Sequence, residues 1–259
     1  MMSNVQVIDI PVIPRFENTK TSATGYLINN VLPEREFETL LKFWEHSRVH
    51  GVDWDQSVYY FKGKKYSVGN QRTFGTLYDR KLFDLTENPE WYYQTPQTIL
   101  PWYNKLSLAT IHPFLILLSK RIKSLPPFNT CPDEWVFIRS IINVLIYEQL
   151  LTLHVDSAPS IFNCPIEDAR EYSITIYLNS VSHGGEFWID SDPGFVYSPV
   201  PNSAFIFPGG HIFHGVNQNR DENKTTRKAI TFRVCHVDSL HLPGDPSKFV
   251  IKNPLLCDT

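Results

Sequence analysis

The chain lacks any marked imbalance of charge, any paired cysteines and any long apolar run. Lys and Arg total 24 against 27 Asp and Glu, giving a formal net charge of -3 and a pI of about 6.3. That balance excludes a global attraction to phosphate backbones or anionic bilayers, so nucleic acid is not a favoured partner and no membrane is expected. The four cysteines, Cys131, Cys164, Cys235 and Cys257, are widely spaced and form no CxxC pair. A chain of this size does not need disulfides, so reduced thiols in an intracellular setting are expected. The opening MMSNVQVIDIPVIPRF places Asp9 and two prolines inside its only apolar stretch and has no basic region ahead of it. No secretion signal is expected from such a stretch, and the expected compartment is cytoplasmic. The apolar stretches near Phe114–Leu118 and Val144–Leu153 are short and interrupted, too short to cross a bilayer. Internal repeats and low-complexity tracts are also missing, and nothing in the sequence sets an oligomeric state.

What is present is an ordinary globular composition, with 42% hydrophobic and 20% charged residues over 259 positions. It predicts a single domain. After a polar lead-in, Thr24–Val31 reads as a strand. Pro33–Trp44 reads as a helix, with apolar residues at 37, 40, 41 and 44, Pro33 near its first turn and acidic residues where the helix dipole favours them. Val58–Tyr78 reads as hairpins broken by Gly63, Gly69 and Gly75. Residues 86–104, rich in Pro, Trp and Tyr, resist assignment and are a candidate lid or aromatic coil packed on the core. Leu106–Ser124 returns to helical spacing, with Pro113 starting or kinking its second part.

From Glu134 the pattern becomes strands, at 135–147, 150–155, 172–179, 186–189, 203–207 and 228–237. Helices first and strands afterwards predict an α+β fold, a two-sheet antiparallel sandwich or jelly roll buttressed by N-terminal helices. The single domain then divides into support and a candidate lid at 1–133, a jelly-roll core at 134–237 and a tail at 238–259.

The run INVLIYEQLLTLHVD ends in His154-Val-Asp156. On a strand, residues two apart share a face, so this imidazole and carboxylate point the same way. One more imidazole completes a 2-His-1-carboxylate set, which holds Fe(II) on three corners and leaves others open. His214, in Phe207-Pro-Gly-Gly-His-Ile-Phe-His214-Gly-Val216, is the candidate, preferred over His211. His183, His236 and His241 read as turn or surface residues, and Glu186 as a solvated or structural carboxylate.

Thirteen residues past His214 begins Arg227-Lys-Ala-Ile-Thr-Phe-Arg233, which alternates cleanly. Arg227 and Arg233 would share one face, and arginines facing an apolar interior need anionic partners. A dicarboxylate co-substrate beside the metal meets that need. Arg233 has a second reading as a strand-end arginine paired with a structural carboxylate.

HxD at 154–156, Tyr172-Ser-Ile-Thr-Ile-Tyr-Leu-Asn179, Gly184-Gly-Glu-Phe187, the His-Gly-Val segment and Arg227 with Ala-Ile-Thr-Phe after it occur in that order across residues 135–237. The ordered set resembles the Fe(II)- and 2-oxoglutarate-dependent dioxygenases, whose core is a double-stranded β-helix, a jelly-roll or cupin-like fold. The resemblance implies that His154, Asp156 and His214 hold iron and that Arg227 binds the far carboxylate of 2-oxoglutarate. Tyr177 would hydrogen-bond the same carboxylate, Tyr147 would line the co-substrate pocket, and Arg233 would be a further contact. It also implies O2 as oxidant, ascorbate as an optional auxiliary, and release of succinate and CO2 as a small molecule or an amino-acid side chain is hydroxylated.

The YLN…GGEF…HGV pattern is similar to prolyl and small-molecule hydroxylases. The RxxxxxR spacing, with Gln71-Arg-Thr-Phe-Gly-Thr-Leu-Tyr78 upstream, looks like AlkB-type demethylases of nucleic acid. It departs from them where Leu145 stands two before Tyr147 and Ala229 two after Arg227. A non-catalytic jelly-roll binding protein is the third expectation.

Overall fold

The computed structural model describes residues 5–11, 22–49, 55–61, 64–75, 117–118, 120–130, 135–156, 170–191, 193–210 and 212–236. Strands β1 (Val5–Pro11) and β2 (Ser22–Asn29) lead to helix α1 (Glu34–Val49), followed by β3 (Asp55–Phe61) and β4 (Lys64–Gly75). Helical residues at 117–118 and 120–122 precede β5 (Trp135–Leu145) and β6 (Leu151–His154). Then come β7 (Glu171–Tyr177), β8 (Phe187–Ile189), β9 (Phe195–Tyr197), β10 (Ser203–Phe207), β11 (His214–Val216) and β12 (Arg227–His236).

These strands form two antiparallel sheets. The larger runs β1-β2-β10-β7-β12-β5-β4-β3 and the smaller β6-β11-β8-β9. Two packed sheets bury one face of each, so the inward residues of every strand are set by the two-residue period. On β7 and β12 the cross-strand pairs Ala229↔Tyr177, Thr231↔Thr175 and Arg233↔Ser173 share the inward face. Between the sheets lies an apolar core that includes Leu145, Tyr177, Phe205, Phe207 and Ala229 from the large sheet and Phe187, Ile189 and Val216 from the small one. Its rings interlock, with Phe187 centred 5.3 Å from Phe205 and 5.0 Å from Phe207.

The outward face of the large sheet is buried as well. Ile174, Ile176, Ile230 and Phe232 alternate with the inward residues and are fully covered. Phe128, just after the helical residues 120–122, meets Trp135 and Tyr172 edge-on at 5.0 and 5.3 Å. That packing lays a turn residue, rather than one of the expected N-terminal helices, against Trp135 and Tyr172. Helix α1 begins as read, with Glu34 and Glu36 in its first turn and the Phe37 N–H donating to Pro33 O at 2.9 Å. No helix among the described residues is long and apolar enough to cross a membrane.

Three strands depart from the sequence reading. The polar lead-in is an edge strand, β1, paired along its length with β2. Both β9 and β11 lie where no strand was expected, because three residues are too few to show a period. The N-terminal region therefore contributes four strands to the large sheet besides its helix. Residues 86–104, 238–259 and His211 lie outside the described residues, as does the 106–116 part of the second expected helix.

Candidate metal centre

β6 and β11 are neighbours in the small sheet, and their register sets His214 directly opposite His154. The imidazole centroids are 4.3 Å apart. Asp156, two residues past His154, is held by its backbone N–H, which donates to Gly209 O at 2.9 Å. His154 Nε2 is 3.6 Å from Asp156 Oδ1, and His214 Nε2 is 3.5 Å from Asp156 Oδ2. One donor atom from each residue falls within 4.8 Å of the others. Two imidazole nitrogens and one carboxylate oxygen converging in this way fit a divalent first-row ion, Fe(II) among them.

The surroundings prepare this set for a cation. His214 Nδ1 lies 2.8 Å from Ile212 O. A proton on Nδ1 donates to that carbonyl and leaves the Nε2 lone pair facing the site. Phe207 stands edge-on to the same ring at 4.7 Å. Burial pushes the His214 pKa down from its ordinary value, ahead of the opposing pull of Asp156, which favours the neutral ring that a ligand must present. Burial alone would raise the Asp156 pKa. The two imidazoles facing it, His214 before His154, and the charge of Arg233 outweigh that and hold it well below the ordinary carboxylate value. His154 is the open side of the cluster, its side chain 31% exposed against 15% for Asp156 and 4% for His214.

Arg227 and Tyr177 form a second group, at the far end of the inward face of β12 and β7. Arg227 is buried, its Nε donating to Gly185 O at 2.8 Å and its guanidinium 5.3 Å from the Tyr177 ring centroid. Burial lowers its pKa, and among the described residues no carboxylate pairs with it. The Tyr177 hydroxyl is buried without a hydrogen-bond partner among those residues, and burial raises its pKa. A buried cation beside an orphaned phenol O–H is a place made for an anion's oxygens.

The sequence reading missed the residues that set this group in place. Asn179, of the YLN motif, donates through Nδ2 to Thr226 O and accepts through Oδ1 from Lys228 N–H, both at 2.8 Å, bracketing Arg227 on either side. Gly185 adopts φ +71°, and a Cβ there would stand 3.1 Å from Arg227 Cδ and 2.8 Å from Val181 Cγ2.

Tyr147 sits on the turn after β5, 40% exposed. Arg233 is buried and paired through Nε and Nη2 with Glu171, itself fully buried, the structural-carboxylate alternative of the sequence reading. His236, expected at the surface, is buried on β12 with Trp135 edge-on at 5.3 Å. His183 is exposed as expected, and Glu186 accepts from Asn217 Nδ2 at 3.1 Å.

No protein-family model matches the chain, and no curated protein matches it by sequence. Solved structures do match. An oxidoreductase of the 2OG-Fe(II) oxygenase family from Burkholderia pseudomallei aligns with a TM-score of 0.55 at 15% identity, covering 82% of this chain and 84% of that one. The chain has the fold of the 2-oxoglutarate- and Fe(II)-dependent oxygenases. Two further structures with this oxygenase fold show how widely it serves. A Pseudomonas putida prolyl-4-hydroxylase matches with a TM-score of 0.50 at 12% identity, over 82% of this chain and 91% of that one. The non-heme α-ketoglutarate-dependent epimerase SnoN from nogalamycin biosynthesis matches with 0.52 at 7% identity, over 81% and 76%.

Proposed function

We propose that this protein is an Fe(II)- and 2-oxoglutarate-dependent oxygenase that hydroxylates a small molecule or an amino-acid side chain and releases succinate and CO2. The observation that carries the reading is the pairing of two sites: the His154, Asp156, His214 donor set and the buried Arg227 with its orphaned neighbour Tyr177. A metal-binding jelly roll without co-substrate has no use for the second.

Bound iron supplies the activation of O2 that couples decarboxylation of the 2-oxo acid to oxidation of a C–H bond. The chain's own residues do the rest. Arg227 offers a planar fork suited to the far carboxylate of 2-oxoglutarate, and Tyr177 donates its O–H to the same group. Phe187, Phe205 and Phe207 line the apolar interior next to His214 and keep water out. The primary substrate approaches from the exposed His154 side.

The AlkB-like demethylase reading draws no support from Arg233, whose fork is engaged by Glu171. Succinate release is the test. With Fe(II) and 2-oxoglutarate supplied, a screen of amino acids, peptides and methylated oligonucleotides should give substrate-stimulated succinate with the first two classes. Stimulation by oligonucleotides alone would move the assignment to demethylation. No iron-dependent succinate with any class, uncoupled turnover included, would leave a binding protein.

A further inference from the structure

Asp156 is the lone carboxylate of the donor set, and the imidazoles do not distinguish its two oxygens, which lie 3.6 and 3.5 Å from the nearest Nε2 atoms. Ser173 does distinguish them. Its Oγ donates a hydrogen bond to Oδ2 alone. Ser173 is fully buried on β7, between β10 and β12 in the middle of the large sheet, so the donor is delivered by a rigid element. Gly209 closes the other side. A Cβ there would collide with Ser173 Oγ and stand 2.8 Å from Asp156 Oδ2, while the Gly209 carbonyl holds the Asp156 backbone. Only a residue without a side chain lets β7 come this close to the carboxylate.

A hydroxyl bonded to a carboxylate oxygen is a charge-assisted contact, short and directional. It occupies Oδ2 and fixes the rotation of the group. We propose that Ser173, seated against Gly209, is a positioning residue that makes Asp156 a one-oxygen ligand, presenting Oδ1 to the metal and preserving the open positions that the co-substrate and O2 require. This rests on the reading of His154, Asp156 and His214 as metal ligands.

The test uses Co(II) as probe on the full chain after chelation, with affinity from calorimetric titration and the visible d–d spectrum of the bound ion as the signature of its coordination. The unsubstituted chain should bind Co(II). Ser173→Ala should bind it about 10- to 100-fold more weakly, as for loss of other second-layer partners, and with a changed spectrum. Ser173→Thr, which keeps the hydroxyl, should restore both. Gly209→Ala leaves every polar group in place but wedges into the contact, so it should reproduce the loss. The double variant should lose less than the product of the single losses, since both act on one hydrogen bond.

Failure of the unsubstituted chain to bind Co(II) would sink the metal reading and this proposal with it. Binding by the unsubstituted chain, with Ser173→Ala unchanged in affinity and spectrum, would overturn the positioning role alone. If circular dichroism shows Ser173→Ala unfolded, the other two variants decide. Weak binding by Gly209→Ala beside normal binding by Ser173→Thr supports the role, and normal binding by both overturns it.

Discussion

A buried hydroxyl without a partner costs folding free energy, and among the described residues Tyr177 carries one. Tyr177→Phe removes that cost and should raise the stability of the ligand-free protein by about 1 kcal/mol, or roughly 2–4 °C in Tm by thermal melting. The same substitution should weaken 2-oxoglutarate roughly 2- to 10-fold, the worth of one hydrogen bond. A residue that harms stability while aiding binding is the mark of a ligand site rather than of core packing. Arg227→Ala should raise the 2-oxoglutarate needed for half-maximal succinate release by about 10- to 100-fold, and Lys should not restore it, because a point charge cannot replace a planar fork. An unchanged requirement would place the far carboxylate elsewhere. His154→Ala and Asp156→Ala should each abolish iron-dependent turnover, and full activity in either would remove the iron assignment.

At the scale of strands, the Arg233–Glu171 pair ties β12 to β7 inside the protein. Removing one partner leaves a charge buried without its mate, so Arg233→Met should cost about 3–5 kcal/mol in denaturant melts. Arg233→Met with Glu171→Leu should recover most of that. Two equal losses that simply add would mean the pair is not coupled. Legibility in the sequence followed length and locality. The alternation of Arg227–Arg233 and the period of Pro33–Trp44 were readable because each spans several repeats of its own pattern, although the helix runs on to Val49 and the strand to His236. The HxD pair was readable because two residues this close in sequence need no knowledge of the rest, although β6 ends at His154 and Asp156 lies two residues past it rather than on the strand. β11, three residues with a glycine at its centre, gave no periodic signal although it bears His214. The Glu171 partner of Arg233 and the Ser173 partner of Asp156 were hidden for another reason. They face each other through pairings 62 and 17 residues apart, which only the sheet order decides.

For the whole molecule, the donor set joins residues 60 positions apart in sequence, from 154 to 214, so it exists only in the folded chain. Metal binding must then stabilise the fold by mass action. At an ion concentration about 100 times the dissociation constant the gain is about 2.7 kcal/mol, or roughly 5–10 °C in Tm for a chain of this size. Adding a chelator should lower Tm by that much, and His154→Ala should show no such response. Equal responses would place the stabilising ion at another site. The two imidazoles face each other because their short strands lie in frame, His214 across from His154. Side chains alternate along a strand, so gaining or losing one residue within 214–216 would swing the imidazole to the opposite face. A single-codon indel there should therefore abolish the proposed iron-dependent turnover as completely as His154→Ala, while leaving the chain's composition nearly intact.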